Sequence, residues 1–398
     1  MKLNGTLLAT AAAVLLATPA FAVDVKIGVL NDRSGVYADL SGEGSVVAAR
    51  MAAEDFDAEA KGINVEIISA DHQNKPDVAS NIARQWYDEE NVDVIADVPT
   101  SSAALAVNEI SREKDKLFLV SGAATTELTG AACAPATLHW TYDTYALATG
   151  TGSAMVEAGH DKWFFLTADY AFGHSLEENT TKVVQESGGE VLGSVRHPFP
   201  GTDFSSFLLQ AQASGADVIG LANAGGDTVN AIKQASEFGI TQAGQALAGL
   251  LIFITDVHAL GLETAQGLVL TEAFYWDLND ETRAWSDRYS EQMGGAKPTM
   301  VHAGVYSAVL HYLKAVEATG SKETAAVVEW MKANPTEDTV FGEGSVRADG
   351  RHMHDMYLFE VKSPSESTGE WDYYELLATI PAEQAAIPLE ESACELVQ

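Results

Sequence analysis

Short apolar runs alternate with segments of helical spacing along most of this chain, and the alternation occurs twice. The first series opens on a strand pattern, Val25–Asn31, followed by a Gly- and Ser-dotted loop from Ser34 to Gly42. Ala48, Ala52 and Phe56 then recur at helical spacing, Val65–Ala70 reads as a second strand, and after Pro76 the residues Val78, Ile82 and Trp86 share one helix face. The second series follows Tyr142. Its strands are Trp163–Ala168, Glu190–Val195, Asp217–Ala222 and Leu247–Phe253, and its helices carry Leu176, Thr180 and Val183, then Phe204, Phe207 and Leu208, then Val229 and Ile232. Strands that alternate with helices predict a parallel sheet covered on both faces, wound by right-handed crossovers. Two such series with no low-complexity linker predict an α/β fold of two similar lobes, each with its own sheet. From Gly267 the pattern changes. Gly267–Trp276 is extended and aromatic, two helical segments carry Trp285, Tyr289 and Met293 and then Val305, Tyr312 and Val316, and Asp349–Val361 is extended again. The chain is therefore expected to cross between lobes three times, with residues 23–142 and 275–348 in one lobe and 143–274 and 349–398 in the other.

The stretch Asp93 to Thr129 points to a site. Two apolar runs, Val92–Val98 and Leu117–Val120, each end in small hydroxyl and glycine residues, Pro99-Thr100-Ser101-Ser102 and Ser121-Gly122-Ala123-Ala124-Thr125-Thr126. In an open parallel sheet, ligands bind outside the carboxyl ends of the strands. Free amides at a helix start, with short hydroxyls beside them, form a ready anion site. The two loops are read as holding a carboxylate; the alternative is that their Ser and Thr residues are helix N-caps alone.

Met1-Lys2, an apolar run from Leu7 to Ala17 and the small-x-small triplet Ala20-Phe21-Ala22 read as a secretory signal peptide, residues 1–22, cut after Ala22. That leader is expected to export the chain. The 23 basic and 57 acidic side chains give a net charge of −34, which excludes nucleic acid as a partner, since phosphates select basic surfaces. In an oxidising compartment the two cysteines, Cys133 and Cys394, are expected to be bridged; two isolated thiols are the alternative. His352 and His354 lack further ligands for a metal. Gly150-Thr151-Gly152 lacks the third glycine of a dinucleotide fingerprint, and no nucleophile elbow, Walker loop or zincin motif is found. No metal, no cofactor and no catalysis are expected.

The order of these features resembles the periplasmic solute-binding proteins of ABC importers, in the branched-chain amino acid (Leu/Ile/Val-binding) branch. The likeness rests on the KIGVL start with its Ser-Gly loop, the Ser101-Ser102 loop, SGAATTELT, ADYAFG, GTDFSSFL and the run Lys233-Gln234-Ala235 through Gly239-Ile240. It implies a type I periplasmic binding protein, with two Rossmann-like lobes, three crossover segments and a cleft that closes on the ligand. It also implies that Ser101, Ser102, Ala123, Ala124 and Thr125 hold the ligand carboxylate. Tyr170 and Asn223 would contact the ligand from the second lobe, and Tyr37 would wall the side-chain pocket. One departure matters. Amino-acid binders of this family carry an acidic residue after the strand here written Ala248 to Phe253, and this chain is apolar there until Asp256. A buried ammonium without a partner is costly. Either Asp256, Asp227 or Asp277 substitutes, or the ligand has no ammonium. The reading preferred is a hydrophobic or aromatic monocarboxylate stacked among residues such as Phe253, delivered to an inner-membrane permease by a monomeric binding protein. A branched-chain amino acid is the alternative, and a ligand-sensing partner of a membrane receptor a more distant one.

Overall fold

A computed structural model describes residues 23–398. The leader and its cleavage point lie outside the described residues. The first sheet contains β1 (Val23–Asn31), β2 (Ile63–Asp71), β3 (Val94–Asp97), β4 (Leu117–Val120) and β5 (Thr137–His139), all parallel in the order β2-β1-β3-β4-β5. The second contains β6 (Lys162–Ala168), β7 (Glu190–His197), β8 (Val218–Ala222) and β9 (Ala246–Gly249), parallel in the order β7-β6-β8-β9.

Each sheet sorts its side chains by the period-two rule of a strand. Val94, Ala96, Leu117 and Leu119 pack with the helices Gly42–Asp55 and Met300–Thr319. Their neighbours Ile95, Phe118 and Val120 pack on the opposite face with Pro76–Asp88 and Ser101–Lys114. The second sheet does the same. Trp163 and Phe165 go to one side, and Leu166, Ile219 and Leu221 to the other. Near-continuous apolar strands are what a sheet covered on both faces requires. The fold is thus a two-lobed α/β architecture, each lobe built on its own parallel sheet.

The remaining strands are β10 (Val269–Glu272), β11 (Thr336–Asp338), β12 (Gly342–Val346), β13 (His352–Met353), β14 (Met356–Val361) and β15 (Tyr374–Ile380). They form two small antiparallel sheets, β10-β14-β15 and β11-β12-β13.

Two expectations need correction. The run Leu247–Phe253 is not all strand. β9 ends at Gly249, and Asp256 accepts the Phe253 amide at 2.9 Å as the cap of the helix Ile254–Leu260, which turns Leu250–Phe253 into a loop. Residues 349–354 stay with the first sheet. Arg351 bridges β5 in parallel at His139, donates to the carbonyls of His139 and Trp140 at 3.3 and 2.9 Å, and pairs with Asp143 at 3.2 Å. His352 stacks on Trp140 at a centroid distance of 4.1 Å. Phe274, Tyr275 and Trp276 are framework residues: Phe274 packs on Trp285, and Tyr275 and Trp276 donate to the Trp371 carbonyl.

Cys133 and Cys394 are bonded, with Cα atoms 5.6 Å apart. The bond carries the C-terminal segment back onto the first lobe. Among the described residues no helix is long and apolar enough to cross a membrane.

Candidate functional site

The carboxyl ends of both parallel sheets face one narrow crevice with about 10 Å³ of free space. Tyr37, Leu40, Pro99, Gly122 and Tyr142 line one side, and Tyr170, Phe172, Ala224, Leu251 and Phe253 the other. No lysine, arginine, aspartate or glutamate is among them. The lobes touch around it. The Tyr37 and Tyr170 hydroxyls are hydrogen-bonded at 2.5 Å, and Phe199 stacks on Tyr170 at 4.2 Å while lying 5.4 Å from Tyr37. The Gly226 amide donates to the Val36 carbonyl at 3.0 Å. Gly225 has φ +56°, and a Cβ there would stand 2.4 Å from that same carbonyl oxygen. Burial, chiefly, holds both phenols above their ordinary pKa, so they act as neutral hydrogen-bonding groups.

The first-lobe side is built by the two loops. The helix Ser101–Lys114 begins with an intrahelical bond from the Ala104 amide to the Thr100 carbonyl, 2.8 Å. The amides of Ser101, Ser102 and Ala103 therefore lack intrahelical acceptors. Ser101 is buried, and its hydroxyl oxygen accepts from the amides of Ala124 and Thr125, both at 3.3 Å, which joins the first loop to the second. Thr125 caps the following short turn by accepting from the Glu127 amide at 3.4 Å. Ser102 is half-buried, with no recorded side-chain bond, one residue along the helix from Ser101. The carbonyls of this loop are already engaged: Tyr142 donates to Gly122 O and His139 to Ala123 O, each at 2.7 Å. Burial pushes the His139 imidazole down to about 4, so it is a neutral donor.

The second-lobe side differs. Leu251 and Phe253 form an apolar wall, and Phe253 meets Tyr142 edge-on at 6.3 Å. The three aspartates weighed as ammonium acceptors are each engaged elsewhere. Asp256 caps its own helix through the Phe253 amide. Asp227 accepts the Gly201 amide at 3.0 Å and lies 3.8 Å from His197. Asp277 pairs with Arg283 at 2.7 Å. Burial pushes the Asp256 and Asp227 carboxyls up to about 7.

Of the residues singled out in the sequence, Tyr37, Tyr170 and Phe253 line the crevice, and Ser101, Ser102, Ala123, Ala124 and Thr125 sit in the loops that flank Pro99 and Gly122. Asn223 does not line it. Its side chain contacts His197 Nε2 at 3.2 Å and accepts from Thr228 at 2.7 Å, and the next residue, Ala224, forms the wall. Leu40, Tyr142, Phe172 and Leu251 were missed. Each sits in an apolar or aromatic run that reads equally well as core.

The family model described as periplasmic binding protein matches residues 24–369. The chain belongs to the periplasmic binding proteins. This periplasmic binding protein is 51% identical to one from Burkholderia mallei whose crystal structure it matches with a TM-score of 0.91, over 94% of this chain and 99% of that one. It is 41% identical to a branched chain amino acid ABC transporter periplasmic ligand-binding protein from Burkholderia xenovorans LB400, with a TM-score of 0.84 over 94% of this chain and 100% of that one. It is also 26% identical to the Leu/Ile/Val-binding protein homolog 6 of Brucella melitensis, covering 89% of this chain and 92% of the relative. The protein is thus a substrate-binding component of an ABC transporter. Such proteins bind a small molecule and deliver it to a permease, and the family is one of transport proteins, not of enzymes.

Proposed function

We propose that this periplasmic binding protein captures a small hydrophobic or aromatic monocarboxylate in the interlobe crevice and hands it to an inner-membrane permease. The observation that carries this is the second-lobe wall: Leu251 and Phe253 stand where an ammonium acceptor is needed, and Asp256 is engaged in capping. The carboxylate docks at Ser102 and Thr125, at the free amides of the Ser101–Lys114 helix start, with Ser101, Ala123 and Ala124 shaping the loops. Tyr37, Tyr170 and Phe253 enclose the apolar part, where aromatic rings gain from edge-on and offset contacts. The lobes are residues 23–142 with 275–354 and 143–274 with 355–380, hinged at the crossings. Residues 1–22 are an export leader, and the mature protein acts as a monomer.

A branched-chain amino acid is the second reading, favoured by the naming of the relatives from Burkholderia xenovorans and Brucella melitensis. A thermal-shift screen of mature protein, refolded to strip carried-over ligand, separates the two, because a ligand that binds the native state alone raises its stability. Shifts with benzoate, hydroxybenzoate or phenylacetate are expected. Shifts with leucine, isoleucine or valine alone sink the aromatic-acid reading.

A further inference from the structure

Behind the crevice wall at Gly122 stands a carboxyl group that the lining does not include. Asp97 ends β3 and is wholly buried. It has φ +80° and Val98 after it has φ +55°. Two successive non-glycine residues in the left-handed region are held there only where the surroundings impose it. The Asp97 Oδ2 accepts from Asn31 Nδ2 at 3.2 Å and from the Ser41 hydroxyl at 2.8 Å. The Oδ1 has no well-formed hydrogen bond among the described residues, although the Ser45 hydroxyl lies near enough to the carboxylate to favour its charged form, and Oδ1 lies 3.0 Å from the point that a Cβ on Gly122 would occupy.

The groups that face Asp97 are Asn31 from β1, Ser41 and Ser45 from the start of the Gly42–Asp55 helix, Gly122 from the loop after β4, and Tyr142 beyond it. Tyr142 is the titratable one, and burial keeps its phenol neutral. Among the described residues no ion pair reaches Asp97, and burial pushes its carboxyl up to about 6. A ligand carboxylate docked at Ser102 and Thr125 would be a second negative charge at the carboxyl end of the same pair of strands, β3 and β4. Like charges in a low-dielectric site disfavour joint ionisation.

We propose that Asp97 sets the pH dependence of binding at the crevice: it takes up a proton from solvent as a ligand carboxylate docks in front of Gly122. The proposal rests on the carboxylate reading above. Its sign follows from linkage. The complex with an acid holds more protons than the free protein at any pH between the Asp97 pKa in the free protein and its higher value in the complex. The binding constant therefore falls as pH rises through that interval.

The test is calorimetric titration of the mature protein with benzoate, phenylacetate and leucine from pH 5.5 to 8.5, for wild type and for Asp97→Asn. The expected result is an acid affinity that weakens with rising pH, approaching about tenfold per unit for a whole proton, and a flat profile in Asp97→Asn, whose amide cannot titrate. A flat wild-type profile with acid binding intact overturns the proposal and leaves the carboxylate reading standing. Failure of every acid at every pH, with leucine binding, overturns both. If Asp97→Asn does not fold, wild-type heats in phosphate and in Tris at one pH report proton uptake directly, and equal heats after correction for ligand dilution overturn the proposal.

Discussion

The two faces of the crevice are made from the same kind of secondary structure and offer opposite chemistry. Each sheet sends its strand ends to the cleft, and each strand end leads into a helix. On the first lobe those junctions are Pro99 to Ser102 and Gly122 to Thr125, small residues that leave amides and hydroxyls near the surface of the site. On the second lobe the corresponding junction is Leu250 to Phe253, and the acid that follows it, Asp256, turns back to its own backbone. A helix start can present its donors to a ligand or satisfy them internally with a capping side chain. The first lobe leaves its donors without a capping side chain at Ser102, and the second lobe satisfies its own at Phe253. The difference makes one face suited to an anion and the other to a hydrocarbon.

The most severe way to break this comparison is to put a charge on the apolar face. Leu251→Glu introduces a buried carboxylate without a partner, a disruption on the order of 3–5 kcal/mol. Acid binding is expected to be lost beyond measurement by titration calorimetry. Leucine affinity in the same variant sharpens the comparison: a gain means that the missing acidic partner alone separates the two ligand classes.

Next in size is removal of the polar side. Ser102→Ala combined with Thr125→Ala deletes two hydroxyls offered to a carboxylate, each worth about 1.5 kcal/mol for a bond to a charged group. Acid affinity should fall by about a hundredfold together, while Thr125→Ser, which keeps the oxygen and the cap to Glu127, should stay near wild type. Unchanged affinity in the double variant would move the carboxylate site away from these loops.

Gly225→Val acts on neither face but on their approach. The backbone at φ +56° and the Val36 carbonyl 2.4 Å from the new Cβ leave no room for a side chain when the lobes meet. An overpacked contact of this kind costs about 1–3 kcal/mol. Ligand affinity is expected to fall about tenfold or more, and small-angle scattering should show a liganded form that stays wider than wild type. A variant that closes and binds normally would show that the Gly226–Val36 bond is incidental to closure.

The doubled strand–helix grammar was legible because buried parallel strands leave long apolar runs such as Val92–Val98 and Leu117–Val120, and the polar residues after them mark the cleft end. The bridging of Cys133 to Cys394 was legible from their number and the oxidising address. Phe253 was read as strand because an apolar run does not reveal that Asp256 will claim its amide. Asp97 was invisible inside Val92–Val98. Nothing in Ala96-Asp97-Val98 signals two left-handed residues, which arise from the junction of β3 with Ser41, Asn31 and Gly122. Asn223 was placed at the site by the family resemblance, and its side chain is instead claimed by His197 and Thr228, two residues distant in sequence from each other.

The smallest expected effect concerns the far side of the lobe contact, away from the crevice. Ser175, Asn179 and Lys182 lie on one face of the helix Ala171–Glu186, spaced by four and three. Ser175 and Asn179 reach Thr126 of the first lobe at 3.4 and 3.3 Å, and Lys182 reaches Glu391 at 2.8 Å on the C-terminal segment that Cys394 anchors to Cys133. Glu391 is therefore carried by the first lobe and Lys182 by the second, so their pair reports closure. It is half-exposed on both sides, and pairs of that kind contribute about 0.2–1 kcal/mol. Lys182→Ala should weaken ligand affinity about two- to fivefold, chiefly through faster release, and the loss should shrink as salt screens the pair. Replacing both cysteines by serine frees the segment and should produce a loss of the same size, with no further loss when Lys182→Ala is added. Additive losses would instead mean that the segment and the Lys182 side chain act independently, and that closure is governed by the crevice rim alone.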